Sequence, residues 1–149
     1  ARLLAGAMRL PTVSFGGMDM YIPGAMPPPA EDLVARTERV IRQIAGEQGG
    51  VFLGRAGALV LADHPGALHV RLDAPLARRV VQTATLSGVT ERQARRVIED
   101  NDRARAAYVR HFYRADPACP TLYHLVLDST SIPVGTCVEL IVTASTALS

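Results

Sequence analysis

The chain has no lysine and no tryptophan, and its two cysteines lie far from one another. All 16 basic residues are therefore arginine, a bias that GC-rich coding produces and that has chemical consequences. No lysine exists here to cradle a phosphate, form a Schiff base or serve as a base. Anion binding falls to the planar guanidinium, which suits carboxylate and phosphate oxygens. Cys119 and Cys137 are too few for a disulfide framework and have no metal-binding spacing with the four histidines. They are expected to be free thiols of a cytoplasmic protein. Aromatic residues reach only 5%, and the net charge is +2. Both argue against a nucleic-acid binder, which needs stacking platforms and a basic surface. No apolar run approaches the roughly 20 residues of a membrane span, and no secretory signal is visible.

What is present fits one α/β domain. The start, Ala1 to Leu10, resembles the end of a helix entered midway, so the chain is expected to be a fragment or to lack an N-terminal part. Residues 11–29 are rich in Gly, Pro and Met and end in Pro27-Pro28-Pro29. Residues 1–30 are thus expected to be a loop or linker, with Phe15, Met18, Met20, Tyr21 and Ile22 packing on something. A Met-rich apolar segment of this kind suits an adaptable surface for a protein partner. Residues 31–149 are expected to form the α/β core, with a long helical stretch at about 90–120.

The spacing predicts a helix from Glu31 to about Ala45, stopped by Gly49-Gly50, then a short strand at Val51–Leu53 ending at Gly54-Arg55. A turn or short helix over Ala56–Ala62 precedes a second strand at Leu68–Leu72. A helix from Pro75 to about Leu86 has proline in its first turn. Thr90 and Gln93 form a capping box for a long helix reaching Phe112. A third strand covers Tyr123–Leu127, and Thr130 or Ser131 caps a last helix with Pro133 just inside it. The three strands are expected to lie parallel in one sheet with helices on both faces. Ligands of such sheets sit beyond the carboxyl ends of the strands, where Arg55 and Asp128 fall.

The long helix carries one anomaly. Its apolar stripe is Ala94, Ile98, Tyr108 and Phe112, and Arg105 falls within it, with Asp102 at its edge. A buried cation costs several kcal/mol, of order 3–5, unless paired. Arg105 could pair with Asp102, could stand in water if the helix bends, or could meet an anionic ligand.

Four pieces in order resemble the cytidylate kinase-like family of nucleoside monophosphate kinases. They are Val51-Phe52-Leu53-Gly54-Arg55, Leu72-Asp73-Ala74-Pro75 with Arg78-Arg79, Asp102-Arg103-Ala104-Arg105 with Tyr108, and Leu127-Asp128-Ser129-Thr130-Ser131. The resemblance implies a P-loop nucleoside monophosphate kinase-like fold, a parallel sheet flanked by helices, with the N-terminal strand and P-loop absent from this chain. It implies ATP and a nucleoside monophosphate, CMP foremost, as partners, with Mg²⁺ as cofactor. Arg55 with Gly54 would bind the acceptor phosphate. Arg105, held by Asp102, would neutralise the phosphoryl group in transit, and Arg103 is a second candidate. Arg78 or Arg79 would hold phosphates or pack on the donor base.

Three departures accompany it. Ile98 stands where the family's lid has its first arginine, Ala56 stands where an aspartate follows Gly-Arg, and no Gly-x-x-x-x-Gly-Lys-Ser/Thr stretch exists. The 149-residue chain alone is therefore expected to be inactive. The alternative is a catalytically inactive kinase-like module that binds nucleotide or a protein partner.

Overall fold

The computed structural model describes residues 30–148. Expectations placed on residues 1–29, including the Met-rich segment, lie outside the described residues. Helix α1, Ala30–Glu47, opens with Glu31 and Asp32, whose charges suit the positive end of the helix dipole. It closes where Gly49 adopts φ 67° and its amide reaches back to the Ile44 carbonyl at 3.0 Å. That left-handed closure favours glycine because it carries no Cβ.

The expected strand at Val51–Leu53 is not formed. Val51 is 101% and Leu53 96% exposed, while Phe52 turns into the core. Three apolar residues become a strand only beside a hydrogen-bonding neighbour, and no described strand lies next to them. Gly54, Arg55 and Ala56 then take three consecutive positive φ values, 72°, 54° and 54°. This turn feeds the single-turn helix α2, Gly57–Val60.

Strands β1, Val70–Asp73, and β2, Leu125–Asp128, pair in parallel with Val70 opposite Leu125 and Asp73 opposite Asp128. The described sheet therefore has two strands, where three were expected. Leu72 is 59% and Val126 48% exposed, and they point to opposite faces. Helices thus leave part of each face open. β2 starts two residues later than expected, and a turn of 3₁₀ helix at Pro120–Leu122 precedes it.

Helix α3, Leu76–Ser87, follows Pro75, which sits at the N-cap (φ −55°, ψ 137°), one position ahead of the first turn. Gly88 closes α3 with φ 65°. Helix α4, Glu91–Tyr113, starts at the expected capping box: Thr90 Oγ1 accepts from the Gln93 amide at 3.3 Å, and Gln93 Oε1 accepts from the Thr90 amide at 3.0 Å. α3 and α4 pack as a hairpin, burying Val80 and Ala94. Helix α5, Val134–Leu148, begins where the Pro133 carbonyl accepts from the Cys137 amide at 3.0 Å, so Pro133 is its N-cap.

Ile41, Val60 and Leu61 form the main buried cluster, with Ala45, Phe52, Ala67 and Tyr113 packed against it. Tyr113 belongs to the last turn of α4, so this helix is covered by α3 at its start and by the α1–α2 cluster at its end. Burial pushes the Tyr113 hydroxyl well up, reinforced by its hydrogen bond to Glu38. No described helix is long and apolar enough to cross a membrane.

Candidate functional site

The parallel register brings two carboxylates side by side at the carboxyl ends of the strands, Asp73 and Asp128. Asp73 pairs with Arg71 at 3.0 Å and accepts from the Ala74 amide at 2.9 Å. Asp128 is the hub of a tight turn. Its Oδ1 accepts from the Thr130 amide at 3.0 Å, the Thr130 hydroxyl at 2.6 Å and the Ser131 amide at 3.2 Å. Its Oδ2 takes the Ser131 hydroxyl at 3.1 Å and Arg78 at 2.8 Å. The Thr130 hydroxyl foremost, then the other donors and Arg78, hold this carboxyl below its usual range. The expected capping of α5 by Thr130 or Ser131 is thereby corrected. Both hydroxyls are committed to Asp128, two and three residues back, a local competitor that short polar side chains often prefer.

Two successive arginines of α3 reach different elements. Arg78 bonds Asp128 and the Ser131 hydroxyl. It also lines an open groove of about 390 Å³ with Val81, Gln82 and Thr130. Arg79 crosses to α4 and donates to Asp102 Oδ2 at 2.8 Å. Asp102 gives its other oxygen to Arg105 at 3.2 Å. Arg105 is 72% exposed and does not lie on a buried face. Of the expected stripe Ala94 is buried and Ile98, Tyr108 and Phe112 are half-buried, while the buried residue of the second half is Val109. But α3 has 12 residues against the 23 of α4, so it covers only the first half of that face. Arg105 falls between the two covered ends, with its pair to Asp102 in solvent. Arg103 lies about 200° around the helix from Arg105 and bonds Asp100.

Arg55 belongs to a second groove, about 410 Å³, walled by Leu33, Val40, Ile41 and Phe52, with Gly54 at its rim. Arg36 of α1 lines the same groove. Neither Arg36 nor Arg55 forms a hydrogen bond or ion pair with another described residue through its side chain. Arg36 was legible in principle: it follows Leu33 by three and precedes Val40 by four, a shared helix face. The backbone at Arg55 and Ala56 is left-handed, a conformation that costs a non-glycine residue roughly 1–2 kcal/mol. Such strain concentrates where a loop's geometry is used.

A family model described as the cytidylate kinase-like family matches residues 9–131. The chain belongs to the cytidylate kinase-like family. Among curated proteins it is 35% identical to a cytidylate kinase of Methanopyrus kandleri, over 58% of this chain and 49% of that protein. It is 36% identical over 98 residues to a uronate isomerase of Corynebacterium glutamicum, over 66% of this chain but 19% of that protein. The chain thus spans about a fifth and about half the length of these two relatives. No solved structure matches it.

Within the matched region the structure joins Arg79, Asp102 and Arg105 in one cluster, and Arg78 and Asp128 in another. It puts Arg55 in the groove of α1, with no hydrogen bond or ion pair to Asp102–Arg105. No group of three or more His, Cys, Asp or Glu among the described residues could hold a metal ion, and the carboxylates at the strand ends are taken up by arginines and hydroxyls.

Proposed function

We propose that the chain is the acceptor-binding and lid portion of a nucleoside monophosphate kinase, which transfers a phosphoryl group from ATP to a pyrimidine nucleoside monophosphate, foremost CMP. The observation that carries this reading is the groove of Arg36 and Arg55. Two cations without hydrogen-bond or ion-pair partners among the described residues border an apolar wall of Leu33, Val40 and Phe52. A ligand that is anionic at one end and flat and apolar at the other matches that division, and a nucleoside monophosphate is such a ligand.

In this reading Arg55, presented by the strained Gly54–Ala56 turn, and Arg36 hold the acceptor phosphate. Arg105, its guanidinium held by Asp102, neutralises the moving phosphoryl group, with Arg103 as a further cation of the same helix. Arg78 lines the groove of Gln82 and Thr130 on the nucleotide side, with Arg79 beside it on α3. Phosphoryl transfer depends mainly on such positioning and charge stabilisation. Mg²⁺ would enter with ATP, on the nucleotide's own phosphates.

Titration of the chain with CMP, UMP and AMP tests this. Arg55→Ala and Arg105→Ala should each weaken binding by ~1–3 kcal/mol, the scale of a lost charge-assisted hydrogen bond. Unchanged affinity in both variants would remove these arginines from the site. In a coupled assay the 149-residue chain should show no turnover, because a sequence without lysine has no Gly-x-x-x-x-Gly-Lys loop to hold the donor phosphates. Joined to such a loop, it should convert ATP and the monophosphate to two diphosphates.

The second reading is a kinase-like module that binds nucleotide or a protein partner without catalysis. It is favoured by Ile98 and Ala56, which replace residues of the family pattern. Nucleotide binding without turnover in the loop-bearing version would select it. Isomerase activity is not assigned, since the shared stretch is 19% of the protein that bears that name.

A further inference from the structure

Asp102 is shared. Its Oδ2 lies 2.8 Å from Arg79 and its Oδ1 3.2 Å from Arg105, one oxygen for each guanidinium. The two arginines are not equivalent. Arg79 projects from α3 beside the buried Val80, its side chain is 30% exposed, and its Nε is buried with no hydrogen-bond partner among the described residues. Arg105 is 72% exposed and holds the longer contact. The shorter bond thus belongs to the arginine that packing fixes, and the longer bond to the one that can swing.

We infer that Arg79 is a positioning residue. It anchors one oxygen of Asp102 to α3 so that only the other is left for Arg105, whose remaining donors stay turned to solvent and to an incoming phosphoryl group. The inference rests on the reading of Arg105 as the arginine that meets that group.

Three features carry it. A guanidinium binds phosphate best through two parallel N–H bonds. With Nε enclosed, Arg79 cannot offer the Nε–Nη edge to a ligand, and its Nη2 is already engaged. Arg105 and Asp102 are three residues apart on one helix face, so an Asp102 with both oxygens free could draw Arg105 into a closed pair. Arg79 opposes that closure, because its bond at 2.8 Å ties Oδ2 to α3 and draws charge from the carboxylate that Arg105 would otherwise have to itself. The trio also carries a net charge of +1, where Asp102 with Arg105 alone would be neutral. An anion approaching Arg105 therefore meets an unsatisfied cation. Arg79 and Arg78 are adjacent in sequence, but a helix turns about 100° between neighbours, which is why one reaches α4 and the other the end of β2.

The test uses the whole chain and two readouts. The first needs no ligand: the side-chain Nε–Hε signal of Arg105 in ¹⁵N-arginine spectra, assigned by its loss in Arg105→Lys. Arg79→Gln should shift this signal and slow rotation of the Arg105 guanidinium, and should change neither when Asp102→Asn is already present. The second is titration with CMP. Arg79→Gln should weaken affinity about tenfold with Asp102 intact, and by less than about twofold in the Asp102→Asn background. Arg79→Lys, which keeps the charge but loses the fork, should fail to restore either readout.

An Arg105 signal indifferent to Arg79→Gln would overturn the inference. So would additive losses in the double variant, which would mean that Arg79 contacts the ligand itself, or full rescue by lysine, which would reduce its role to charge. If the wild-type chain bound no CMP while the Arg105 signal responded as described, the assigned function would fail and the positioning of Arg105 by Arg79 would stand.

Discussion

The entry into the parallel sheet is built on a pair of imidazoles, and acid should open it. The His69 amide donates to Nδ1 of His124 at 2.9 Å, while the His124 amide returns a bond to the His69 carbonyl at 2.8 Å. The two rings stack with centroids 5.1 Å apart and planes 12° from parallel. Nδ1 of His124 can accept only while it carries no proton, so protonation removes the bond and turns two N–H groups toward each other. Burial foremost, then the neighbouring His124, lowers the pKa of His69, and a backbone contact at Leu61 opposes them. The folded chain therefore binds fewer protons than the unfolded one. The stabilisation is complete above the unfolded value of about 6.5 and is lost as pH falls through it toward the lowered folded value. Replacing His124 by alanine deletes one hydrogen bond at an exposed site, where water can serve the freed amide. The cost is about 1 kcal/mol at neutral pH, or roughly 4 °C in Tm for a chain of this size. Thermal melts of wild type and His124→Ala across the range from about pH 7.5 to 5 provide the assay. The wild-type advantage should shrink as pH falls. Parallel Tm curves over the whole range would refute the reasoning, since the pair would then not sense protons.

Thr90→Ala removes the reciprocal cap of α4 and should destabilise the chain by about 1 kcal/mol in urea unfolding, with the m-value unchanged. Ala56→Gly should stabilise it by ~0.5–1 kcal/mol in the same measurement, because glycine adopts the φ of 54° without a Cβ penalty. Asp128 has a lowered folded pKa, so its turn is held above the ordinary carboxylate range and released as pH falls below it. Asp128→Asn should lower Tm at pH 7 and flatten that acid limb in melts below about pH 4.

The helices were legible because their signals are local. The Thr90–Gln93 box, the left-handed Gly88 and the Gly49 closure each act within a few residues of the helix end they fix. Val51–Leu53 was not legible, since a strand is a property of two segments and its residues carry no mark of whether a partner lies beside them. Of the readings open to Arg105, the pair with Asp102 in solvent is the one formed. Periodicity put Arg105 in line with the buried Ala94, but whether a helix face is covered at a given turn depends on the length of the neighbouring helix, and α3 stops short. Nor could sequence choose between Arg78 and Arg79, because the choice rests on carboxylates 50 and 23 residues away.

This division has a functional logic. Arg78, Arg79 and Arg105 each rest against a carboxylate, and that pairing fixes where a guanidinium points before any ligand arrives. Arg36 and Arg55 have no such partner among the described residues, which leave net positive charge at the groove the two share. A held arginine contributes geometry at a reduced gain in field, because its partner cancels its charge in full for Arg78 and in part for Arg79 and Arg105, which share Asp102. An unheld one contributes field at the cost of ordering its own side chain when the ligand binds. Selection between ligands should therefore respond to changes in the Arg78–Asp128 and Arg79–Asp102–Arg105 clusters, and overall anion affinity and its salt dependence to Arg36 and Arg55.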